Sequence, residues 1–249
     1  MFNIPNLLAP VAPDAHKYSR GVVGILAGGA KYPGAAVLCV GGARRGGAGY
    51  VKYCSQNKFA TAAVIAQYPD VVPVSKLKDE KADAWVVGPG APRITFIPED
   101  TALVLDGAAI RHASRKRTGI TIITPHIGEL KHLGYELAQR EETARRIADE
   151  LNVIIVLKGR HTVVAAPHQA VLVDEVGGPE LACAGSGDIL AGLLGSMLAS
   201  WRPATLGDAA SVVYKTVIYH SSAAKIAREA HNPVVATDIL RALSKVNLQ

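Results

Sequence analysis

Short runs of β-branched and aliphatic residues alternate with longer Ala-rich segments along most of the chain. The short runs predict strands at 22–27, 50–53, 84–87, 102–106, 119–124, 153–157, 162–165 and 170–173. They are apolar at successive positions rather than at every second one, as expected of parallel strands covered by helices on both faces. The longer segments predict helices at 34–44, 61–66, 139–151, 187–200, 206–230 and 237–246. This order predicts an α/β architecture, with helices in two layers around a mostly parallel central sheet. Only a short stretch that includes Pro167, His168 and Gln169 separates the final strands from each other, so these should form an antiparallel edge hairpin. With Val212, Val213, Val217 and Ile218, 206–230 reads as a core or an interface helix, and core is the expectation. No repeat, low-complexity tract or linker divides the sequence, which reads as one domain over 1–249. Residues 1 to about 15, with Pro5, Pro10 and Pro13, should be the least ordered part. Segment 74–81, VSKLKDEK, reads as a solvated connection.

Composition narrows the class. The 249 residues are 49% hydrophobic and 19% charged, enough apolar material for a full core, which excludes disorder as the main state. No apolar run approaches the ~18–20 residues that cross a bilayer. The N-terminus has no basic region followed by an apolar one, which argues against secretion. Cys39, Cys54 and Cys183 lie far apart with no metal or disulfide spacing, so a cytoplasmic location is expected. The net charge of +6 is scattered. Its densest clusters are Arg44–Arg45, 111–117 and Arg145–Arg146, and no aromatic residues interleave with them. That argues against a nucleic-acid partner and suits anionic small molecules.

Four turns carry candidate chemistry. Ala184, Gly185, Ser186, Gly187 and Asp188 open a helix. Glycines there let backbone amides approach an anion, and the helix start adds unpaired donors and partial positive charge. The alternative is that Asp188 is an ordinary N-cap above a glycine-shaped turn. Lys158, Gly159, Arg160, His161 and Thr162 follow a buried strand, where open α/β sheets bind ligands. A Lys and a Gly there can meet a nucleotide phosphate, and a hairpin turn with a solvated Lys is the plainer reading. Thr124, Pro125, His126, Ile127, Gly128 and Glu129 follow another strand. One helical turn would put His126 and Glu129 on one face, for a metal or polar ligand, while helix capping by Glu129 is the alternative. Gly28 and Gly29 follow the first strand without the dinucleotide-binding spacing, and Gly34, Ala35 and Ala36 open a helix that lets something flat approach. Gly88, Pro89 and Gly90 make a similar turn, and Asp106 ends a strand as a ligand-facing acid or a cap. Several such turns on one rim are what a nucleotide-and-substrate cleft needs.

TPHIGE, LKGRHT and AGSGD, in that order, resemble the ADP/ATP-dependent NAD(P)H-hydrate dehydratases of the ribokinase-like superfamily. The likeness begins at His16 and Lys17 and takes in PGAA at Pro33, Arg45 to Val51, and Val87 to Gly90. It implies a three-layer α/β/α ribokinase-like fold and a lyase that repairs hydrated nicotinamide cofactor. Such an enzyme phosphorylates the S hydrate with ADP or ATP, then eliminates phosphate. Carried over by motif, Asp188 is the catalytic acid–base group. The backbone at Gly185, Ser186 and Gly187 stabilises the phosphoryl group. Lys158, Gly159, Arg160, His161, Thr162 and Gly187 bind the nucleotide. Ala35, Gly90, His126 and Asp188 contact the hydrate, and Glu129 helps hold Mg2+, through water. The resemblance also implies a homotetramer. Many relatives carry an epimerase domain, for which this chain is too short, so a separate epimerase is expected. The sequence departs from the family where Ala184 replaces a Gly, where 177–183 lacks an Asn, and where DADAL reads Asp106-Gly107-Ala108-Ala109-Ile110. A ribokinase-like small-molecule kinase, of thiazole or hydroxymethylpyrimidine type, is the alternative. His126, where such kinases carry Asn, argues against it.

Overall fold

All eight apolar runs enter one sheet, and a ninth, two-residue strand joins its edge. The computed structural model describes residues 7, 8, 11–94 and 96–246. In chain order the main elements are β1 (Val22–Leu26), α1 (Pro33–Ala43), β2 (Tyr50–Cys54), α2 (Lys58–Gln67), β3 (Val72–Pro73), β4 (Ala84–Val87) and β5 (Ala102–Leu105). They continue with β6 (Thr121–Ile123), α3 (Arg140–Leu151), β7 (Ile154–Leu157), β8 (Val163–Ala165), β9 (Leu172–Val173), α4 (Ser186–Trp201), α5 (Leu206–Ala230) and α6 (Ala236–Ala242). The sheet order is β3-β2-β1-β4-β5-β6-β7-β8-β9. Strands β1 to β7 pair in parallel, and β8 and β9 are antiparallel, as the short connection between them requires.

Burial explains the unbroken apolar runs. Val23, Ile25, Val86, Val104, Ile122 and Ile154 point into one core with α1, α2, α4 and α5. Their neighbours Leu26, Val87, Leu103, Leu105, Ile123 and Ile155 point into a second core beneath α3. A third cluster joins α4, α5 and α6 behind the first. Helix α4 is buried at every position from Ile189 to Ala199, hence its almost uniform apolarity. Val212, Val213, Val217 and Ile218 on α5 are buried too.

Three features depart from the sequence expectation. Strand β3 is too short to register as an apolar run. Helix α2 starts three residues early because the Asn57 side chain accepts the Ala60 N–H at 3.0 Å, an N-cap. Segment 74–81 is not merely solvated. Leu77 is buried beside Trp85 and Leu103, and Glu80 pairs with Lys52 at 2.7 Å. In the N-terminal arm, residues 1–6, 9 and 10 lie outside the described residues. Leu7 is buried, and the Trp201 indole donates to its carbonyl at 2.9 Å.

Helices α1 and α4 touch through glycine. A Cβ on Gly192 would stand 1.9 Å from the Cys39 carbonyl oxygen, so the closeness of the two backbones depends on hydrogen at that position. Gly192→Ala should therefore cost about 1–3 kcal/mol. A lower urea midpoint with unchanged m value would register the loss.

Candidate active site

Parallel strands finish on one rim, so the turns after β1, β4, β5, β6 and β7 are neighbours. The chain order reverses at β1, which has β2 on one side and β4 on the other. A crevice at such a reversal is where open α/β sheets bind ligands. The Gly28 N–H donates to the Pro89 carbonyl at 2.7 Å across this point. The β6 and β7 turns are joined as well. Lys158 N–H donates to the Pro125 carbonyl at 2.8 Å, and His126 and Lys158 form an isolated parallel bridge.

Two cavities open on this rim. One, of about 450 Å³, is lined by Lys158, Gly159, Arg160, Thr162, Ser186 and Gly187, among others. The other, of about 790 Å³, is lined by Lys31, Tyr32, Ala35, Gly90, Glu129 and Ala184, among others. Asp106, Gly185 and Asp188 line both. A molecule in one cavity and a molecule in the other would meet there.

Helix α4 begins at that junction. Its N-cap is Gly185, at φ +96°, where an L side chain is strained and where a Cβ would also meet Leu38 at 2.3 Å. No side chain caps the helix, so Asp188, in its first turn, is not the N-cap. The Ser186 N–H is directed to the Cys183 carbonyl at 3.3 Å, and its hydroxyl donates to the Leu181 carbonyl at 2.8 Å. The first turn of a helix leaves amides free to meet an anion. The Lys158 ammonium stands over this turn, 3.2 Å from where a Gly187 Cβ would be.

Charge at the junction is tightly organised. Lys158 Nζ donates to Asp106 Oδ1 at 2.8 Å and lies 4.0 Å from Glu129 Oε2. Thr124 Oγ1 donates to the same Asp106 oxygen at 2.6 Å. Burial opposes the charge on Lys158, yet Asp106, Glu129 and Asp188 outweigh it and hold its pKa above the ordinary lysine value. Burial acts on Asp188 first, Asp106 repels its charge, and Lys158 only partly relieves both, so its carboxyl is pushed up to about 7. A group balanced between its two forms near neutrality is suited to take and return a proton.

The structure does not treat all the sequence candidates alike. His161 turns away from both cavities, because its Nδ1 sits 3.2 Å from the Asp174 carbonyl and the residue is exposed. His126 lines the smaller cavity and Glu129 the larger, yet their side chains meet, Nε2 to Oε2 at 3.5 Å, as one shared helical face requires. Glu129 also caps its own turn, accepting the His126 N–H at 2.9 Å. Among the described residues no three His, Cys, Asp or Glu side chains converge as a metal cage. Mg2+ needs only one or two carboxylates, completed by water and phosphate, so Asp106 and Glu129 suit it as hard oxygen donors.

Other residues shape the site without a motif to reveal them. A terminal nitrogen of Arg140 donates to the carbonyls of Leu157, Lys158 and His161, at 2.9, 3.3 and 3.3 Å, pinning the turn after β7. The buried Asp174 accepts the amides of Val176 and Gly177 at 2.8 and 3.1 Å, holding the next loop. His220, from the middle of α5, lines the smaller cavity. The signal the sequence holds for Asp174 and His220 is a polar residue directly after an apolar run, at 170–173 and 217–219.

A family model described as NAD(P)H-hydrate dehydratase matches residues 23–245. The chain belongs to this family. The ADP-dependent (S)-NAD(P)H-hydrate dehydratase of Neisseria meningitidis is 33% identical over 226 residues, 80% of this chain and 76% of that protein. The bifunctional NAD(P)H-hydrate repair enzyme of Mycobacterium tuberculosis is 36% identical over 216 residues, 80% of this chain and 45% of that protein. The chain thus spans about half the length of such repair enzymes. The ADP/ATP-dependent NAD(P)H-hydrate dehydratase of Bacillus subtilis, co-crystallised with ATP and Mg2+, superposes with a TM-score of 0.86 at 27% identity, covering 97% of this chain and 94% of that one. The fold is ribokinase-like, and the antiparallel strands are its edge.

The raised Asp188 pKa has a consequence for stability in this family member. Between pH 4 and 7 the folded protein holds a proton on Asp188 that the unfolded chain has released, so this group lowers stability as pH rises through that window. Asp188→Asn removes the charge. The variant should match wild type near pH 4 and exceed it at pH 8, by on the order of a few kcal/mol. Urea unfolding at the two pH values checks the difference.

Proposed function

We propose that the chain is a hydro-lyase that dehydrates the S epimer of hydrated NAD(P)H, using ADP as phosphoryl donor and yielding NAD(P)H, AMP and phosphate. The observation that carries this reading is the meeting of two cavities at Asp188, beside the uncapped start of α4. The smaller cavity takes the nucleotide, with Lys158, Gly159, Arg160, Thr162 and Gly187 around it. The larger takes the hydrated ring and its dinucleotide, past Ala35 and Gly90. His126 stands at the boundary.

Asp188 removes the proton from the hydrate's hydroxyl as that oxygen attacks the β-phosphorus of ADP, and AMP departs. The amides of the first turn of α4 and Lys158 receive the negative charge of the transferring group. The phosphorylated ring then loses phosphate and the proton of its neighbouring carbon, which restores the double bond. Phosphate leaves far more readily than hydroxide, so the first step lowers the barrier of the second. Mg2+, when bound, neutralises phosphate charge. Glu129, with Asp106 near it, would hold the ion, through water. Lys158 must then divide its attention between Asp106 and the phosphates.

The reading extends to partners. The opposite epimer requires an epimerase. A homotetramer is part of this reading, and Phe59 on α2, 82% exposed, is an apolar side chain that a contact between copies would cover. The enzyme is placed in the cytoplasm as part of this reading; among the described residues no helix is long and apolar enough to cross a membrane.

The test follows absorbance at 340 nm with S-NADHX, Mg2+, and either ADP or ATP. A nucleotide-dependent rise with release of free phosphate is expected. A flat trace with a stable phosphoester formed on another alcohol would replace this reading with a small-molecule kinase, and nucleotide binding without turnover would remove enzymatic activity altogether. Asp188→Asn should lower turnover by roughly a thousandfold while nucleotide affinity changes little. In wild type, kcat/KM should fall as pH drops through about 7, where Asp188 gains its proton. A profile flat from pH 6 to 8 would remove Asp188 from the base role.

A further inference from the structure

We propose that His220 contacts the bound nucleotide, its Nε2 accepting a hydrogen bond from a donor of the nucleoside, either the exocyclic amine of adenine or a ribose hydroxyl. This rests on the nucleotide reading of the smaller cavity.

His220 lies in the middle of α5, between stretches that serve only the core, such as Val213, Val217, Ala223 and Ala224. It is 4% exposed. Its Nε2 is buried and has no hydrogen-bond partner among the described residues. Buried polar atoms are ordinarily paired, and an orphan is costly. The side chain nonetheless lines the nucleotide cavity, so that cavity is where a partner can arrive.

The chemistry of the ring limits what that partner is. Burial pushes the His220 pKa down to about 4, with the Ser186 backbone acting in the opposite sense. The imidazole is therefore neutral near pH 7, with one N–H and one bare acceptor. The Ser186 backbone favours a proton on the nitrogen that faces it. The unpartnered Nε2 is then the acceptor. The Ser186 hydroxyl is not free to serve it, since it donates to the Leu181 carbonyl at 2.8 Å. A bare acceptor is unsuited to phosphate oxygens, which are acceptors too. Those are provided for at the Lys158 side, by the ammonium and the α4 amides. The wall of the same cavity also contains Leu181, Cys183 and Leu190, apolar surface that suits a base or the face of a ribose.

Calorimetric titration with no hydrated cofactor present tests this apart from the dehydratase reading. The probes are ADP, inosine diphosphate (keto oxygen in place of the amine), 2′-deoxy-ADP, 3′-deoxy-ADP and adenosine. His220→Phe keeps a ring but removes the acceptor, and should weaken ADP binding roughly tenfold, the worth of one hydrogen bond. His220→Gln, whose amide oxygen reaches a similar point, should retain most of the affinity. Adenosine should suffer the same loss as ADP. Wild type should bind one analogue about tenfold more weakly than ADP. Inosine diphosphate in that place identifies the amine as the donor, and a deoxy analogue identifies a hydroxyl.

Equal affinity of wild type for every diphosphate would overturn the proposal, even if the Phe variant fails to fold. So would a Phe variant that binds ADP as wild type does, which would mean that water satisfies the ring. A loss seen with ADP but not with adenosine would mean a phosphate contact and overturn the acceptor assignment. Wild type that binds no ADP at all would end the nucleotide reading and this inference with it, whereas ADP binding without hydrate turnover would end only the dehydratase reading.

Discussion

The ion pair between Lys158 and Asp106 organises everything around it. It joins the end of β7 to the end of β5 at 2.8 Å, and Thr124 from β6 donates to the same oxygen. The two side chains are only 19% and 7% exposed. Charges removed from water to that degree are tolerable only with close partners and further hydrogen bonds. Three neighbouring turns are thereby held in one arrangement. The arrangement is also unbalanced, because one ammonium faces Asp106, Glu129 and Asp188. Asp188 lies where that shortage of positive charge is felt, and burial together with the Asp106 charge raises its pKa to about 7.

The open first turn of α4 depends on the core behind it. Helix α4 is apolar over almost its whole length and is packed between the sheet, α1 and α5. Such a helix has little freedom to tilt, so its first turn stays where the packing sets it. The polar work falls on the few residues that precede the apolar body, and Gly185 supplies a backbone conformation that other residues resist. Rigid burial and an open, uncapped end belong to one element. That is how a site can be preorganised for negative charge without a cluster of basic residues.

Much of this was legible in the residues. Strands buried on both faces read as unbroken apolar runs, and that placed β1, β2 and β4 to β7 and the parallel sheet. The hairpin β8–β9 followed from a connection too short for a crossover. The motif glycines and Lys158, Asp188 and Glu129 were legible for a similar reason, since each follows a predicted strand or starts a predicted helix. What escaped was local or long-range in character. Strand β3 has two residues and no pattern. Leu77, inside a charged segment, is drawn into the core by Trp85 and Leu103, which lie elsewhere in the chain. Arg140 opens a helix and looks like any surface arginine until the turn after β7 is seen folded against it.

The sequence by itself determined the layers, the strand direction, the rim on which the turns gather and the motif residues that place the chain in its family. Those follow from periodicity and local backbone chemistry, which act over a few residues. Tertiary structure alone decided which turns share a cavity, that His126 and Glu129 line different ones while their side chains meet at 3.5 Å, that His161 lines neither, and that His220 lines the smaller. It also decided the protonation of Asp188. Lys158 and Asp106 are 52 residues apart in the chain. Burial and charge repulsion between such distant groups exist only after the sheet has brought its strand ends together.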